Sequence, residues 1–485
     1  MRNSNSEISN KVPMSQKIVF GFGMLANQMF PAALGIFMVI LVQDLGFPPL
    51  LWGLLFFLPR VFDAITDPIM GFISDNTKSK WGRRRQYVFI GAIVMGISFI
   101  AMWQLFAENG LTYNFWYFLI LSFVFYLGLT IFSVPYVAMG YEMSNDFHER
   151  TKIMAVAQWI GQWAWVIAPW FWVIIYDPTW FENAEIGTRE LSIYVGIACT
   201  VLAIIPAIFI KSRSTLSDDN LKPLTTSNFK SSIKDIIKTF IDAYNNKPFR
   251  KLCIATFLVF NSFQTIAAFS FFIIVYHLFN GDAVAAGYWP TLHGSIGALV
   301  TTFLVIPIVT KMSQQIGKKN TFMISQGISV IGYVLFWFLF IPGKPYMFLY
   351  ALPFFSFGIG GLFTLMMSMT ADVCDLDELN NGLPRKEGTF GALYWWMVKF
   401  GSALAGLFSG FIMAYVGFTP DVANQPEEAI TGLRIFYSLV PIIGTLTAMY
   451  VMKNYDLTEK RANEISKILS SRRNKIKDNI NSIKK

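Results

Sequence analysis

Residues 60–85 read "RVFDAITDPIMGFISDNTKSKWGRRR". The first half of this stretch continues an apolar run, yet it contains Arg60, Asp63 and Asp67. The second half is a short polar loop that ends in three consecutive arginines. On an α-helix the three charged residues stand at positions i, i+3 and i+7, within an arc of about 60°. The stretch therefore predicts a charged stripe along one face of an otherwise apolar helix, followed by a basic loop.

The composition of the whole chain explains the apolar surroundings of this stripe. The 485 residues are 54% hydrophobic and only 14% charged, whereas about a quarter of a soluble chain is charged. Apolar runs of about 20 residues recur from end to end, and that length crosses a hydrocarbon core of about 30 Å. The three cysteines are scattered and form neither a metal pattern nor a disulfide framework. We therefore predict an all-α polytopic membrane protein without a cofactor.

Twelve transmembrane helices are predicted, separated by turn-type breaks such as "GFPP" and "IPGKP". The first apolar run follows about 16 polar residues and lacks a cleavage site after it, so we expect it to remain as a helix. The predicted spans are residues 17–42, 50–75, 86–107, 113–140, 151–176, 190–211, 250–278, 287–310, 320–341, 345–371, 388–416 and 431–453.

The distribution of basic residues predicts the orientation. With the N-terminus inside, 34 of the 39 lysines and arginines fall in cytoplasmic segments, and three fall outside. This asymmetry places both termini in the cytoplasm by the positive-inside rule. The net charge of +9 is therefore explained by topology rather than by nucleic-acid binding. We expect a multi-pass protein of a plasma membrane, namely a bacterial inner membrane, that functions as a monomer among membrane lipids.

The longest polar interval divides the spans into two sets of six. It contains "SSIKDIIKTFIDAYNN", whose apolar residues share one helical face, as in a helix that lies on the membrane surface. The two sets of spans resemble each other weakly in sequence. A basic segment, "VTKMSQQIGKK", follows span eight, just as a basic loop follows span two. This arrangement looks like the major facilitator architecture, in which substrate lies between two halves. The predicted segments are a bundle over 1–211, a linker over 212–249, a bundle over 250–453 and a basic tail over 454–485.

The two aspartates of span two predict a cation site. A single carboxylate in the membrane costs at least about 2.5 kcal/mol, and two repel each other. Pro68 has no N–H, so the carbonyl of Ala64 loses its helical partner near the carboxylates. Asp63, Asp67 and this carbonyl offer the hard oxygen ligands that suit Na⁺, or the carboxylates can share a proton. Lys399, within span eleven, is a candidate surrogate cation that is released when the ion binds.

A purely structural alternative remains open for these charges. Arg60 could pair with Asp63, and Lys399 with Asp67, as salt bridges between helices. Buried ion pairs stabilise proteins poorly, so architecture alone is a weak reason to carry four charges into lipid. The sequence therefore favours a cation site.

The chain resembles the glycoside–pentoside–hexuronide:cation symporters, a family of the major facilitator superfamily that includes the melibiose permease. Residues 60–92, "RVFDAITDPIMGFISDNTKSKWGRRRQYVFIGA", carry the resemblance most specifically. "KIVFGFGMLANQM", "VPYVAMGYEMSNDFHERTK" and "TADVCDLDELNNGLPRKEGTFGALYWWMVKFGSALAG" agree in order and spacing. The resemblance implies a cation site formed by Asp63, Asp67 and Thr130, with Lys399 and Arg60 involved in coupling. It also implies a cytoplasmic gate, to which we add two charged residues at the loop after span two. The predicted gate residues are Asp75, Arg84, Glu149, Arg150, Asp372, Asp375 and Arg385.

Three departures from the melibiose permease concern its sugar-binding charges. Gln28 and Ser133 stand where that protein has aspartates, and Gln158 stands where it has an arginine. All three positions are neutral here, so we expect a different sugar. The loss of a carboxylate at Ser133 also leaves the choice between Na⁺ and H⁺ open.

Amides and aromatic rings are the predicted substrate ligands. Amides bond to sugar hydroxyls, and rings pack against sugar C–H faces. Such a cleft suits a neutral glycoside or oligosaccharide, and for a uronide Arg60 or Lys399 could supply the counter-charge. The candidates are Asn27, Gln28, Ser133, Gln158, Trp159, Gln162, Asn261, Gln264, Trp395 and Trp396.

Other functions are less well supported by the sequence. No HExxH or GxSxG motif indicates an intramembrane hydrolase, and the tail of about 30 residues is too short for a signalling domain. A lysolipid-like amphipathic cargo in the same fold stays open. We therefore predict a symporter, not an enzyme, that imports a saccharide with Na⁺ or H⁺ by alternating access.

Overall fold

The computed structural model confirms an all-α architecture. It describes residues 11–144, 147–210, 234, 238, 241, 244–381, 387–420, 422, 424–465, 467–469 and 471, and among these no residue lies in a β-strand. The side chains of 147, 148, 151 and 387–389 are also outside the description. The chain divides into two compact units, Met1–Lys234 with Pro420–Val422, and Asp235–Thr419 with Ala423–Lys485.

Among the described residues, the first unit contains seven α-helices. Proline lies inside four of them, although it lacks the N–H that an inner helical residue donates. The helices are α1 (Met14–Gln43), α2 (Pro49–Asp75), α3 (Arg85–Met102), α4 (Leu111–Glu142), α5 (Phe147–Ile167), the short α6 (Phe171–Tyr176) and α7 (Ala184–Phe209).

Among the described residues, eight α-helices of the second unit are defined, two of which run into π-helical turns at Ile273–Leu278 and Val300–Val305. The helices are α8 (Lys247–Phe272), the short α9 (Ala283–Ala286), α10 (Trp289–Leu299), α11 (Ile306–Ile316), α12 (Lys318–Leu339), α13 (Leu352–Asn381), α14 (Glu387–Tyr415) and α15 (Glu427–Lys453).

Eleven of the helical segments in the described residues are long and apolar enough to cross a membrane. The protein is therefore a multi-pass membrane protein. The predicted fifth span is not among the eleven, since α5 begins with the polar "FHERTK" and gives way to a 3₁₀ turn at Ala168–Trp170 before α6. The predicted tenth span ends too early, because α13 continues to Asn381. The linker and its amphipathic helix lie almost wholly outside the described residues, so the domain boundaries stay a prediction.

Close helix contacts at glycine occur in both units, and two of them occupy comparable positions. A Cβ atom on Gly128 of α4 would lie 2.6 Å from the backbone nitrogen of Met95 in α3, and one on Gly358 of α13 would lie 2.9 Å from Cβ of Ser329 in α12. A side chain does not fit in either place, so glycine allows the two helices to approach. Each glycine precedes an acidic residue by 14 positions, namely Glu142 and Asp372.

Two arginines that were predicted to lie on the outer side of the membrane make similar contacts, one in each unit. Nη1 of Arg189 in α7 donates to the carbonyl of Leu105 at 2.9 Å, and the guanidinium stands 4.3 Å from the Phe106 ring centroid. Nη2 of Arg434 in α15 donates to the carbonyl of Trp337 at 3.0 Å and stands 4.6 Å from that ring. Arg434 thus bonds a carbonyl in the last turn of α12, where intrahelical partners are lacking, and Arg189 bonds a carbonyl of the loop after α3.

The end of α7 is held by two other helices. Arg85, the first residue of α3, donates from Nε to the carbonyl of Ala207 at 2.6 Å and from Nη2 to that of Ile208 at 2.8 Å. Gln16 of α1 donates to the carbonyl of Phe209 at 3.1 Å. Side chains from α1 and α3 therefore satisfy three terminal carbonyls of α7.

The first part of the predicted tail packs onto the second unit. Tyr455, Leu457, Ile465 and Leu469 are buried and join one apolar core with residues of α8, α12, α13 and α14. Lys319 donates to the carbonyl of Tyr455 at 3.5 Å. This part of the tail is therefore a component of the second bundle, which its basic composition did not predict.

Candidate cation and substrate sites

The two aspartates of α2 meet at one threonine of α4. Oγ1 of Thr130 lies 2.7 Å from Oδ1 of Asp63 and 3.2 Å from Oδ1 of Asp67. Asp63 is 3% exposed and Thr130 is 1% exposed, while Asp67 is half-buried. The three side chains that the sequence and the resemblance proposed as cation ligands are therefore in direct contact within the first unit.

Thr66 belongs to this cluster and was missed from the sequence. Its hydroxyl lies 3.1 Å from that of Thr130 and also bonds the carbonyls of Phe62 and Asp63, at 3.2 and 3.1 Å. Its place one residue before Asp67 was the available indication, but a threonine on a helix usually bonds its own backbone. The cluster thus offers two carboxylates and two hydroxyls. No group of three or more His, Cys, Asp and Glu that could hold a metal ion occurs in the described part of the chain.

The remaining parts of the predicted cation machinery are less closely defined. The α2 helix runs without interruption through Pro68, and the role of the Ala64 carbonyl stays a prediction. The guanidinium of Arg60 stands 5.0 Å from the ring centroid of Phe56, on the same helix. Lys399 is half-buried in α14 and belongs to the second unit, so its coupling to the aspartates stays a prediction.

Two of the predicted substrate ligands form a hydrogen-bonded relay in the first unit. Nε2 of Gln28 in α1 donates to Oε1 of Gln158 in α5 at 2.7 Å. Nε1 of Trp165 donates to Oε1 of Gln28 at 3.1 Å. Trp165 was not among the predicted ligands, although it lies seven residues after Gln158, on the same helical face.

The other candidates of the first unit have different surroundings. Trp159 lies about 100° around α5 from Gln158, and its exposed ring packs edge-on against Trp163 with ring centroids 6.2 Å apart. Nδ2 of Asn27 makes a long contact of 4.0 Å with Sδ of Met24. Ser133 and Gln162 are half-buried. Their roles in binding stay predictions.

The polar candidates of the second unit join two of its helices. Asn261 donates to the carbonyl of Gly401 at 3.2 Å, and Gln264 donates to Oγ of Ser402 at 3.0 Å. Both bonds connect α8 to α14, so each amide has a packing contact in addition to its predicted binding role.

The two predicted tryptophans of α14 stack on phenylalanines. Trp395 stacks on Phe363 at 6.1 Å between ring centroids, and Trp396 on Phe400 at 5.1 Å.

The residues predicted for the inner gate form ion pairs within each unit. Nη2 of Arg84 lies 2.6 Å from Oδ1 of Asp75, and its Nε lies 2.7 Å from Oε1 of Glu142. In the second unit Nζ of Lys318 lies 2.7 Å from Oδ2 of Asp372. A basic residue at the start of α3 or α12 therefore pairs with an acidic residue in the C-terminal third of α4 or α13. The sequence missed Glu142 and Lys318.

Glu149, near the start of α5, forms an ion pair with a lysine of α1. Oε1 of Glu149 lies 2.7 Å from Nζ of Lys17 in α1 and accepts a bond of 2.9 Å from the backbone nitrogen of Val12. The Lys17 ammonium holds the pKa of Glu149 below its usual range. The roles of Arg150 and Asp375 as gate residues stay predictions, and Arg385 lies outside the described residues.

Comparisons with known proteins agree with this architecture. Residues 19–459 match the sequence profile of the family described as "MFS/sugar transport protein". The chain is 27% identical to the glucuronide carrier protein homolog of Escherichia coli, over 93% of this chain and 95% of that protein. It is 26% identical to the uncharacterized symporter YjmB of Bacillus subtilis, over 95% and 96%. A bacterial homolog of the human lysosomal transporter Spinster shares the fold, with a TM-score of 0.65, 12% identity and coverage of 91% and 96%.

Proposed function

The chain belongs to the MFS/sugar transport protein family, and from this premise we propose that it imports a glycoside or oligosaccharide together with Na⁺ or H⁺. The observation that carries the proposal is the contact of Asp63 and Asp67 through Thr130. Two carboxylates that contact the same hydroxyl group repel each other unless a cation or a proton neutralises them. Since the relatives include a protein named a symporter and one named a glucuronide carrier, a sugar is the proposed cargo.

The proposed ion ligands are Asp63, Asp67, Thr66 and Thr130. Carboxylate and hydroxyl oxygens are hard ligands, which suit Na⁺, and the same carboxylates can take up a proton. Binding of one cation reduces the negative charge of the two carboxylates on α2 and so changes which partners this helix favours. In the proposed cycle Lys399 replaces the ion when the site is empty.

Coupling follows if the cation and the sugar each favour the same conformation. The gain in affinity that the cation gives to the sugar must then equal the gain that the sugar gives to the cation. Alternating access of the loaded and empty protein would convert this coupling into transport, with both termini in the cytoplasm.

The proposal is tested by uptake into proteoliposomes of labelled glycosides, uronides and short oligosaccharides, with and without an inward Na⁺ or H⁺ gradient. We expect at least one sugar to accumulate only when the correct gradient is present. Asp63→Asn should abolish this accumulation, because the amide cannot bind a proton and attracts a cation less.

Asp177→Asn is the matched control for loss of one carboxylate. Asp177 accepts bonds from the backbone and side chain of Thr179, at 2.9 and 2.7 Å, in the loop after α6. Its variant should transport like the original protein. Accumulation by Asp63→Asn at the original level would refute the site.

A further inference from the structure

The relay formed by Trp165, Gln28 and Gln158 has only one direction in which its hydrogen bonds can run. The indole N–H of Trp165 is a donor and has no acceptor atom. The atom of Gln28 that faces it at 3.1 Å must therefore be the amide oxygen. The amide nitrogen of Gln28 then faces Gln158 at 2.7 Å, where it meets the amide oxygen.

This direction determines which group stands at the free end of the relay. Because the amide oxygen of Gln158 is directed at Gln28, its NH₂ group points away from Gln28. This NH₂ group donates no hydrogen bond to another described residue, and the Gln158 side chain is exposed on the first unit. Without the indole donor, either amide could turn over, since the oxygen and nitrogen ends have nearly the same shape.

Glycine at position 161 lets side chains of α1 lie close against α5. A Cβ atom on Gly161 would lie 2.7 Å from Cγ of Met24 and 2.8 Å from Nε2 of Gln28. A larger residue there would therefore displace both side chains, including the Gln28 amide of the relay. Gly161 and Trp165 lie on the face of α5 that carries Gln158, one turn apart.

We propose that Trp165 is a positioning residue that fixes the amide direction, so that the N–H donors of Gln158 select a sugar bearing an acidic group. Given the proposed sugar transport, on which this inference rests, a carboxylate or sulfonate oxygen is the matching chemistry. Such oxygens only accept hydrogen bonds, and a bond to a charged acceptor is roughly twice as strong as one between neutral groups. A sugar hydroxyl can donate as well as accept, so it gains less from a fixed direction.

The relay itself is tested without any sugar, in the full-length protein with ¹⁵N-labelled tryptophan. The indole N–H resonance that disappears in Trp165→Phe belongs to Trp165. We expect Gln28→Ala to shift this resonance, because its acceptor is lost. The resonance of Trp163, assigned in the same way with Trp163→Phe, should stay in place. An unshifted Trp165 resonance would overturn the relay.

The selection is tested by calorimetric binding of phenyl β-glucuronide and phenyl β-glucoside, which differ only in the acidic group. We expect the original protein to bind the glucuronide about tenfold more tightly, a difference of about 1.4 kcal/mol. In Trp165→Phe, which keeps the ring and removes the N–H, this ratio should fall toward one, and Trp163→Phe should keep it. Gln158→Glu should reject the glucuronide, because two carboxylates would then face each other.

The outcomes separate the two proposals. If other sugars accumulate with a cation but the glucuronide has no advantage, or if Trp165→Phe keeps the ratio, the proposed selection is overturned and the transport function stands. If no sugar of the uptake panel is bound or transported, the proposed function fails together with the selection.

Discussion

At the scale of single residues, one hydroxyl group organises the candidate cation site. Thr130 is 1% exposed and touches both aspartates of α2. One hydroxyl has one proton to donate, so it can fully satisfy only one of the two carboxylates at a time. Both carboxylates therefore compete for this proton, and a bound cation would offset the repulsion between them, which is the chemical basis of the proposed site.

We expect Thr130→Val to weaken cation binding by about tenfold or more. The change keeps the side-chain shape and removes a hydrogen bond to a charged group, which contributes roughly 1.5–3 kcal/mol. Thr130→Ser keeps the hydroxyl and should stay close to the original affinity. The measurement is the Na⁺ or H⁺ concentration that gives half-maximal sugar uptake. Equal values for the valine and serine variants would show that the hydroxyl does not serve the ion.

The pair of Lys17 and Glu149 predicts a pH dependence of stability. The hydrogen bond from Lys17 is the main cause of the lowered pKa of Glu149, from an ordinary value of 4.5. A carboxyl group whose pKa is lower in the folded protein stabilises the fold above its unfolded pKa, and this contribution is lost as the pH falls through the folded pKa. Glu149→Gln should therefore unfold at a lower temperature than the original protein at neutral pH. The difference should shrink below about pH 4.5, as thermal unfolding over a pH series can measure. A difference that stays constant with pH would contradict this role.

The sequence predicted the residues of the site better than their partners. Asp63, Asp67 and Thr130 were identified from the charged stripe and the resemblance, because a charge in lipid is conspicuous. Thr66 and Trp165 were not, since a threonine or tryptophan in an apolar helix is common. Their roles depend on which helix lies opposite, and a single sequence does not contain that information.

At the scale of helices, hydrophobicity predicted most of the spans but not how all of them end. The tenth span was predicted to stop at residue 371, where charged residues begin, yet α13 continues to Asn381. Asp377 and Glu378 are buried on this extension, so tertiary contacts support helix beyond the apolar part. The π-helical turns also had no indication in the sequence, because they change backbone geometry without a characteristic composition.

The packed beginning of the tail gives a test at this scale. Ile465 is 4% exposed and belongs to the core of the second unit, whereas Ile468 is 45% exposed. Ile465→Asp should destabilise the protein by about 3 kcal/mol or more, because it buries an unpaired charge. Ile468→Asp should have an effect within about 0.5 kcal/mol. Thermal unfolding of both variants in the same detergent measures the difference, and similar midpoints would argue against a structural role for the tail.

At the scale of the whole molecule, the two units repeat a set of contacts with different residues. Arg84 and Glu142 in the first unit correspond to Lys318 and Asp372 in the second. The positions keep the sign of the charge and change the residue type, which is why the sequence showed only a weak echo between the halves. The two-bundle plan was predictable from span number and the long polar interval, but these pairings were not.

Exchanging the charges of one repeated ion pair should show that its two residues are energetically coupled. Lys318→Glu would place another acid beside Asp372, whose charge already interacts with those of Asp375 and Glu459, and it should lower both stability and uptake. Adding Asp372→Lys should restore part of the loss, because opposite charges face each other again. Lys311→Glu, at an exposed position of α11, controls for the change in net charge. Additive effects of the two substitutions would mean that the pair is not coupled.

The fixed end of α7 has a mechanical consequence. Helix α7 ends at Phe209, where side chains of Gln16 and Arg85 bind its last carbonyls. A force applied at this end is therefore shared by three helices instead of unwinding one. The end of α7 is an anchorage, which transmits such a force into α1 and α3.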